Sequence, residues 1–227
     1  GPYLYLGYPS LTGISAWIIL LIIPVAIITG LAGSGMGRTI LYIFRKKRGL
    51  KKNFHKMIFV AICGLIIAAL AVLVDGQTFG SGKEIMVNSL FTDQKNVEWY
   101  LPVLRTVGPI VSFSTGSAGG IFAPSLSAGA SIGSVFAGWF HLSGTETNLL
   151  ILCGMTGFLT SITRSPFTSS ILVLEMTNSH NVIFYIMLTA LASNLVATLV
   201  SRHSFYDHLK DRYINEIHKN ETQQIEK

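Results

Sequence analysis

The feature that most constrains this chain is the length of its stretches without charge. No Asp, Glu, Lys or Arg occurs in residues 1–37, 106–145 or 176–201, and these stretches are rich in Leu, Ile, Val, Phe and Ala. Each is longer than the ~20 apolar residues that a helix needs to cross a bilayer. Only 12% of the 227 residues are charged, whereas a soluble globular domain carries about 25%. The sequence therefore predicts a polytopic membrane protein.

The cations of the chain are concentrated in two places. Seven Lys and Arg residues lie between Arg45 and Lys56, and a smaller group, Arg202, Lys210 and Arg212, follows the last uncharged stretch. Short basic loops beside membrane spans usually face the cytoplasm. We therefore expect the basic loop 45–56 and the C-terminus on the cytoplasmic side, and no nucleic-acid partner.

Apolar segments follow one another along the chain, separated by polar or glycine-bearing turns. Long helices are predicted at 15–44, 53–74, 97–114 and 182–201. Shorter apolar helices are predicted at 85–91, 148–163 and 166–176, and a polar amphipathic helix at 205–218 precedes a disordered tail at 219–227. The shorter apolar helices fall below the ~20 residues of a full crossing. Half-length helices among full ones are typical of a transporter core, in which broken helices meet near the bilayer midplane.

One glycine-rich segment has the composition of an anion site at the start of a helix. An anion inside a bilayer needs positive potential, and a bare buried cation is costly to desolvate. A helix N-terminus supplies unpaired N–H groups and a partial positive charge. Gly119 and Gly120 leave the approach open, and Pro124 in the first turn removes no helical hydrogen bond. The N–H groups of Ile121 and Phe122 are the candidate ligands, although a glycine turn before an ordinary packed helix has the same pattern.

The string Gly120-Ile121-Phe122-Ala123-Pro124 resembles the G-x-F-x-P motif of the CLC chloride channels and proton-coupled exchangers. Other matches occur in the order and spacing of that family: Arg105 as an intramembrane arginine, Gly154 to Gly157, Ile162 to Pro166, Ile171 to Thr177, and Tyr206 just before the terminal helix. The resemblance implies an all-α polytopic fold of broken and tilted CLC-type helices. Residues 1–204 would form the second of two inverted repeats, followed by a terminal helix at 205–218 and the tail at 219–227.

The resemblance also implies a ligand set. The N–H groups of Ile121 and Phe122 and the hydroxyl of Tyr206 would hold a dehydrated chloride ion, the transported substrate, with Gly119, Gly120, Ala123 and Pro124 in support. Without the resemblance, Tyr206 would be interpreted as an aromatic side chain at the membrane interface. No cofactor is implied.

The family's activity and assembly are implied in the same way. Transport would proceed through a channel or by exchange of two chloride ions for one proton, in a bacterial inner membrane. The protein would be a homodimer, with 166–176 and 182–201 as candidate interface helices. Transport of another anion, such as fluoride or nitrate, and a non-conducting role in membrane assembly are the alternatives.

Several features of the family are missing from this sequence. The gating glutamate of the G-R-E-G-P motif, the serine ligand and the proton-relay glutamate belong to the family's N-terminal half. Ser81 lies in a similar Gly-Ser-Gly string, but at the equivalent place in the second repeat, so it is not assigned as a ligand. We therefore expect a separate or preceding N-terminal half as a partner in the pathway.

No residue pattern indicates an enzyme. The six histidines are scattered at segment ends, without metal-ligand spacing or a catalytic triad. Cys63 and Cys153 lie inside apolar runs and are expected to be small core residues. Arg105, Arg164 and Glu175 lie deep in apolar sequence, and we expect them to serve in pairing or in vestibule electrostatics rather than in direct ion contact.

Overall fold

The computed structural model describes residues 6–49, 52–73, 80–92, 95–116, 119–210 and 213–214. Eight helices are, in chain order, α1 (Ile19–Arg48), α2 (Asn53–Leu73), α3 (Lys83–Phe91), α4 (Leu101–Ser114), α5 (Phe122–Trp139), α6 (Gly144–Thr163), α7 (Pro166–Thr177) and α8 (Ile183–Val200). Short 3₁₀ turns, Ala16–Ile18 and His180–Val182, precede α1 and α8. A further helix, α9, covers residues 205–210. The described residues contain no strand, and the all-α prediction is confirmed.

Three helices are long and apolar enough to cross a membrane: Ala16–Arg48, Asn53–Val72 and His180–Val200. The prediction of membrane spans is therefore confirmed by length and composition. The short lengths predicted for α3 and α7 are also confirmed, at 9 and 12 residues. The predicted terminal helix lies partly outside the described residues, and the predicted disordered tail lies entirely outside them.

Several helix boundaries differ from the sequence prediction. Helix α1, predicted to end at Phe44, continues to Arg48, so Arg45 to Arg48 form its last turn rather than part of the basic loop. The helix predicted at 148–163 begins at Gly144 and has 20 residues, so the prediction of a half-length helix was wrong. Its start is stabilised by Ser143 and Glu146, which cap each other's backbone. The helix predicted from Val97 begins at Leu101, and the N–H of Val97 donates to Ser134 Oγ on α5 at 3.0 Å.

Small residues on one face of α5 allow it to lie directly against α6. A methyl group at Gly129 would overlap the Gly154 carbonyl, and one at Gly133 would overlap the Leu150 carbonyl. Such close backbone approach is characteristic of helix pairs that associate in lipid. Because α6 is buried along nearly its whole length, it forms the centre against which α5, α1 and α8 are placed.

Candidate anion site

The site is built around the first turn of α5. Ile121 is the N-cap residue, no side chain caps the helix, and its first turn contains no acidic residue. The first N–H groups of any helix have no acceptor within the helix. The carbonyl of Ile121 accepts the first helical bond, from the N–H of Ser125 at 3.1 Å. The start of α5 is thus a positive helix end without a side-chain partner of its own.

The residues around this helix start leave it approachable. Gly120 has no atom within 4 Å of where a Cβ would lie, and the nearest atom to a Cβ at Gly119 is an aromatic carbon of Phe113 at 3.8 Å. Ile121 is buried, whereas Phe122 is 43% exposed. Pro124 is the third residue of the helix, where its missing N–H costs no intrahelical bond.

The structure brings Tyr206 to this helix start, although it follows Phe122 by more than eighty residues. The two ring centroids lie 6.5 Å apart, with the planes tilted by 48°. Tyr206 is 39% exposed, and burial raises the pKa of its phenol. The hydroxyl therefore remains protonated at neutral pH and can donate a hydrogen bond.

The first turn of α9 holds Tyr206 in place. The N–H of Asp207 donates to Ser204 Oγ and the N–H of Ser204 donates to Asp207 Oδ2, both at 2.9 Å. These hydrogen bonds lower the pKa of the Asp207 carboxyl. Phe205 is buried in a cluster with Phe158 and Ile162 of α6. Sequence reasoning missed this anchor, although Ser204 and Asp207 have the spacing of a capping box.

Two arginines hold the C-terminal end of α8, which four residues separate from α9. Arg164 donates from Nη2 to Ser201 O at 2.7 Å and to Ala197 O, and from Nη1 to Asn194 O at 3.2 Å. Arg38 of α1 donates to the carbonyl of Val200 at 3.1 Å. Cations at a helix C-terminus compensate its partial negative charge. Arg164 thus pairs with backbone carbonyls, and the chain that leads to Tyr206 starts from a fixed point.

Arg105 is buried beside the second turn of α5. It is 4% exposed, and its Nε and Nη2 donate to Ser127 Oγ at 2.9 and 2.7 Å. Its Nη1 lies 3.4 Å from the carbonyl oxygen of Gly80. These contacts join the segment before α3 to α5. The adjacent Ser81 is exposed.

Other potential chemical groups lie apart from this site. Glu175 is exposed at the end of α7, and its carboxylate lies 3.9 Å from His180 Nε2. Cys63 and Cys153 are buried and not joined to each other. Among the residues that the structure describes, no three His, Cys, Asp or Glu side chains are grouped to hold a metal.

Comparison with known proteins decides the family. The family model of voltage-gated chloride channels matches residues 1–198. The chain belongs to this family. The match includes the start of α5, while Tyr206 lies beyond its last residue.

Bacterial members of the voltage-gated chloride channel family are among the similar proteins. The H(+)/Cl(-) exchange transporter ClcA of Cronobacter sakazakii is 33% identical over 111 residues, which cover 47% of this chain and 24% of the relative. The protein of the same name from Yersinia pestis bv. Antiqua (strain Angola) is 28% identical over 150 residues, which cover 64% of this chain and 30% of the relative. The chain thus matches less than a third of either relative.

Two solved structures of the family share the fold. A slow cyanobacterial Cl−/H+ antiporter superposes with a TM-score of 0.77 at 18% identity, over 95% of this chain and 51% of that one. A CLC-type fluoride/proton antiporter superposes with a TM-score of 0.73 at 22% identity, over 88% and 48%. The CLC-type fold predicted from the sequence is confirmed, and the chain spans about half of these structures.

Proposed function

We propose that this chain is half of a chloride-transporting domain, in which the N–H groups of Ile121 and Phe122 and the hydroxyl of Tyr206 hold a dehydrated chloride ion. The observation that carries the proposal is the juxtaposition of an uncapped helix start with a fixed phenol, whose ring lies 6.5 Å from that of Phe122. The transporters named as relatives exchange protons for chloride, and the fold is that of anion antiporters.

The chemistry of these donors suits a transported anion. The N–H groups offer partial positive charge without a full cation, which would need a counterion whenever the site is empty. A neutral phenol donates one hydrogen bond without the deep electrostatic well that a buried Lys or Arg would create. Weak neutral donors allow chloride to leave again, which conduction requires.

The rest of the pathway comes from outside this chain. Since the chain spans about half of the structures it resembles, a preceding or separate first repeat would supply the remaining ligands and the coupling groups. The basic segment 45–56 and the C-terminus would face the cytoplasm of a bacterial inner membrane.

We also propose a homodimer that uses α7 and α8. Both helices expose large apolar side chains, among them Phe167, Ile171, Phe184, Leu195 and Leu199. A second copy would cover them, and lipid contact alone is the alternative. Cross-linking of single cysteines along α7 in native membranes would distinguish the two.

The direct test is halide location in the native assembly, purified from its own membrane with any chain that accompanies it. Crystals soaked in bromide should show anomalous density beside the N–H groups of Ile121 and Phe122. Density elsewhere, with this helix start covered by lipid or side chains, would overturn the proposed site.

Removal of one hydroxyl gives a quantitative test of the tyrosine. Tyr206→Phe should weaken chloride binding about tenfold in calorimetry, because one hydrogen bond to an anion is lost. Tyr213→Phe is the matched control, since that side chain is exposed. Equal affinities for the two variants would remove Tyr206 from the ligand set.

Flux measurements on the reconstituted native assembly separate the activities. Chloride uptake driven by a proton gradient indicates an exchanger, and uptake without coupling indicates a channel. If the assembly binds and transports fluoride rather than chloride, the proposed substrate is wrong. If it neither binds nor transports anions, the proposal is refuted.

A further inference from the structure

Among the described cations between Arg45 and Lys56, Lys47 is half-buried and turned toward the protein, whereas the others are exposed. Its Nζ donates to the carbonyl of Ser114 at 3.3 Å and to that of Thr115. The same ammonium lies 5.8 Å from the ring centroid of Phe59 on α2, within the range of a cation–π contact. Lys46, the preceding residue, is exposed. Lys47 thus joins α1, α2 and the end of α4.

The two carbonyls that Lys47 contacts belong to the C-terminus of α4. The last carbonyls of a helix lack helical donors and carry the equivalent of about half a negative charge. Only residues 115–121 separate this end from the start of α5, so the two ends can be no more than ~29 Å apart. Without compensation, the negative end of α4 would oppose the anion that the positive end of α5 attracts.

Gly116, the second residue after the end of α4, lies beside the ammonium of Lys47. This residue has a φ of +87°, and a Cβ there would lie 3.1 Å from Lys47 Nζ. A larger residue would be strained at this φ and would displace the ammonium. The chain between α4 and α5 therefore begins in contact with a cation.

We propose that Lys47 is a positioning residue for anion entry: it compensates the C-terminus of α4 and fixes the start of the segment that leads to Ile121 and Phe122. This inference rests on the proposed function. It assigns Lys47 a task beyond the topological role that the positive-inside rule gives to basic residues beside a span.

The test compares three variants in the native assembly. Lys47→Met keeps the apolar stem and removes the charge, Lys47→Arg keeps the charge, and Lys46→Met removes an exposed neighbouring charge. Chloride affinity is measured by calorimetry at low and high concentrations of a gluconate salt, and thermal stability is measured beside it.

We expect Lys47→Met to weaken chloride binding about three- to tenfold at low ionic strength and less at high ionic strength, because salt screens a nearby charge. Lys47→Arg should retain most of the affinity, and Lys46→Met should resemble the wild type. A role in stability alone would lower the melting temperature of Lys47→Met without this salt dependence.

Two negative outcomes have different meanings. If Lys47→Met binds chloride as tightly as the wild type does, the inference is overturned and the proposed function still stands. The same holds if Lys47→Arg loses as much chloride affinity as Lys47→Met. A wild-type assembly that binds no chloride overturns the proposed function, and the role of Lys47 in anion entry with it.

Discussion

Helices α5 and α6 lie against each other, yet their first turns are built in opposite ways. At the start of α6, the N–H of Glu146 donates to Ser143 Oγ at 3.3 Å and the N–H of Ser143 donates to Glu146 Oε2 at 3.4 Å. At the start of α5, no side chain caps the helix and the first turn carries no acid. One helix neutralises its own positive end, and the other leaves it available.

A second helix start of this chain is closed by a reciprocal cap. Ser204 and Asp207 close the start of α9 in the same way as Ser143 and Glu146 close that of α6. An uncapped helix start forgoes about 1 kcal/mol of stabilisation. The starts of α1, α3, α4, α7 and α8 also lack a side-chain cap. The start of α5 differs from them by the phenol of Tyr206 beside it, and an external anion is the partner that we propose for it.

The largest expected effect comes from giving α5 its own anion. Ala123→Asp places a carboxylate in the first turn, which should stabilise the helix by about 0.3–1 kcal/mol. At about 6 Å from a bound chloride and an effective dielectric constant of about 20, the repulsion is about 2.8 kcal/mol, so chloride affinity should fall roughly a hundredfold. Calorimetry and thermal denaturation would measure the two effects.

Ala123→Asn is the control for this variant, because it adds a similar volume without charge. It should retain most of the chloride affinity. A carboxylate at position 123 that leaves chloride binding intact would show that the start of α5 does not face the ion.

The start of α5 was predictable from the sequence because its determinants are local. Gly119, Gly120 and Pro124 specify an open approach and a helix start within a few residues, and the helix begins at Phe122. The spans and the short α3 and α7 followed from the lengths of apolar runs. The start of α6 was missed because Gly144 to Thr147 are polar and were assigned to a loop, although Ser143 and Glu146 carried the local capping signal.

Other parts of the site depend on contacts between distant residues. Arg164 pairs with carbonyls 30 to 37 positions away, and Lys47 pairs with a carbonyl 67 positions away. A basic residue in an apolar sequence indicates that some acceptor exists, but backbone carbonyls are present at every position. The choice among them is made by packing, so the sequence alone could not identify the partners. The position of Tyr206 beside Phe122 followed only from the family resemblance.

A moderate effect is expected from opening the start of α6. Ser143→Ala removes the side-chain acceptor for the N–H of Glu146 and should lower the free energy of unfolding by about 1 kcal/mol. Chloride affinity should not change, because this helix start follows the C-terminal end of α5 rather than its first turn. Denaturation in detergent and calorimetry would measure both quantities.

Ser143→Asp should keep the cap and serves as the control. If Ser143→Ala changed the chloride affinity more than the control does, the capped start of α6 would not have a purely structural role. The proposed division between a capped helix start that stabilises and an uncapped one that binds would then be contradicted.

The smallest effect is expected at α9, where the cap that holds Tyr206 joins the buried Ser204 to the exposed Asp207. The hydrogen bonds from Ser204 lower the pKa of Asp207 below its ordinary value. A carboxylate whose pKa is lower in the folded state stabilises that state above the pKa of the unfolded chain, about 4, and this contribution is lost as the pH falls through the folded pKa. The amides of residues 205–210 should therefore lose protection from hydrogen exchange below about pH 4 in the wild type.

Two variants test this expectation. Asp207→Asn should show weaker protection at neutral pH and no such transition. Glu98→Gln, at an exposed carboxylate, should behave as the wild type does. If Asp207→Asn kept the wild-type transition, another group would control the start of α9, and the carboxylate cap would not be what holds Tyr206 beside the uncapped helix.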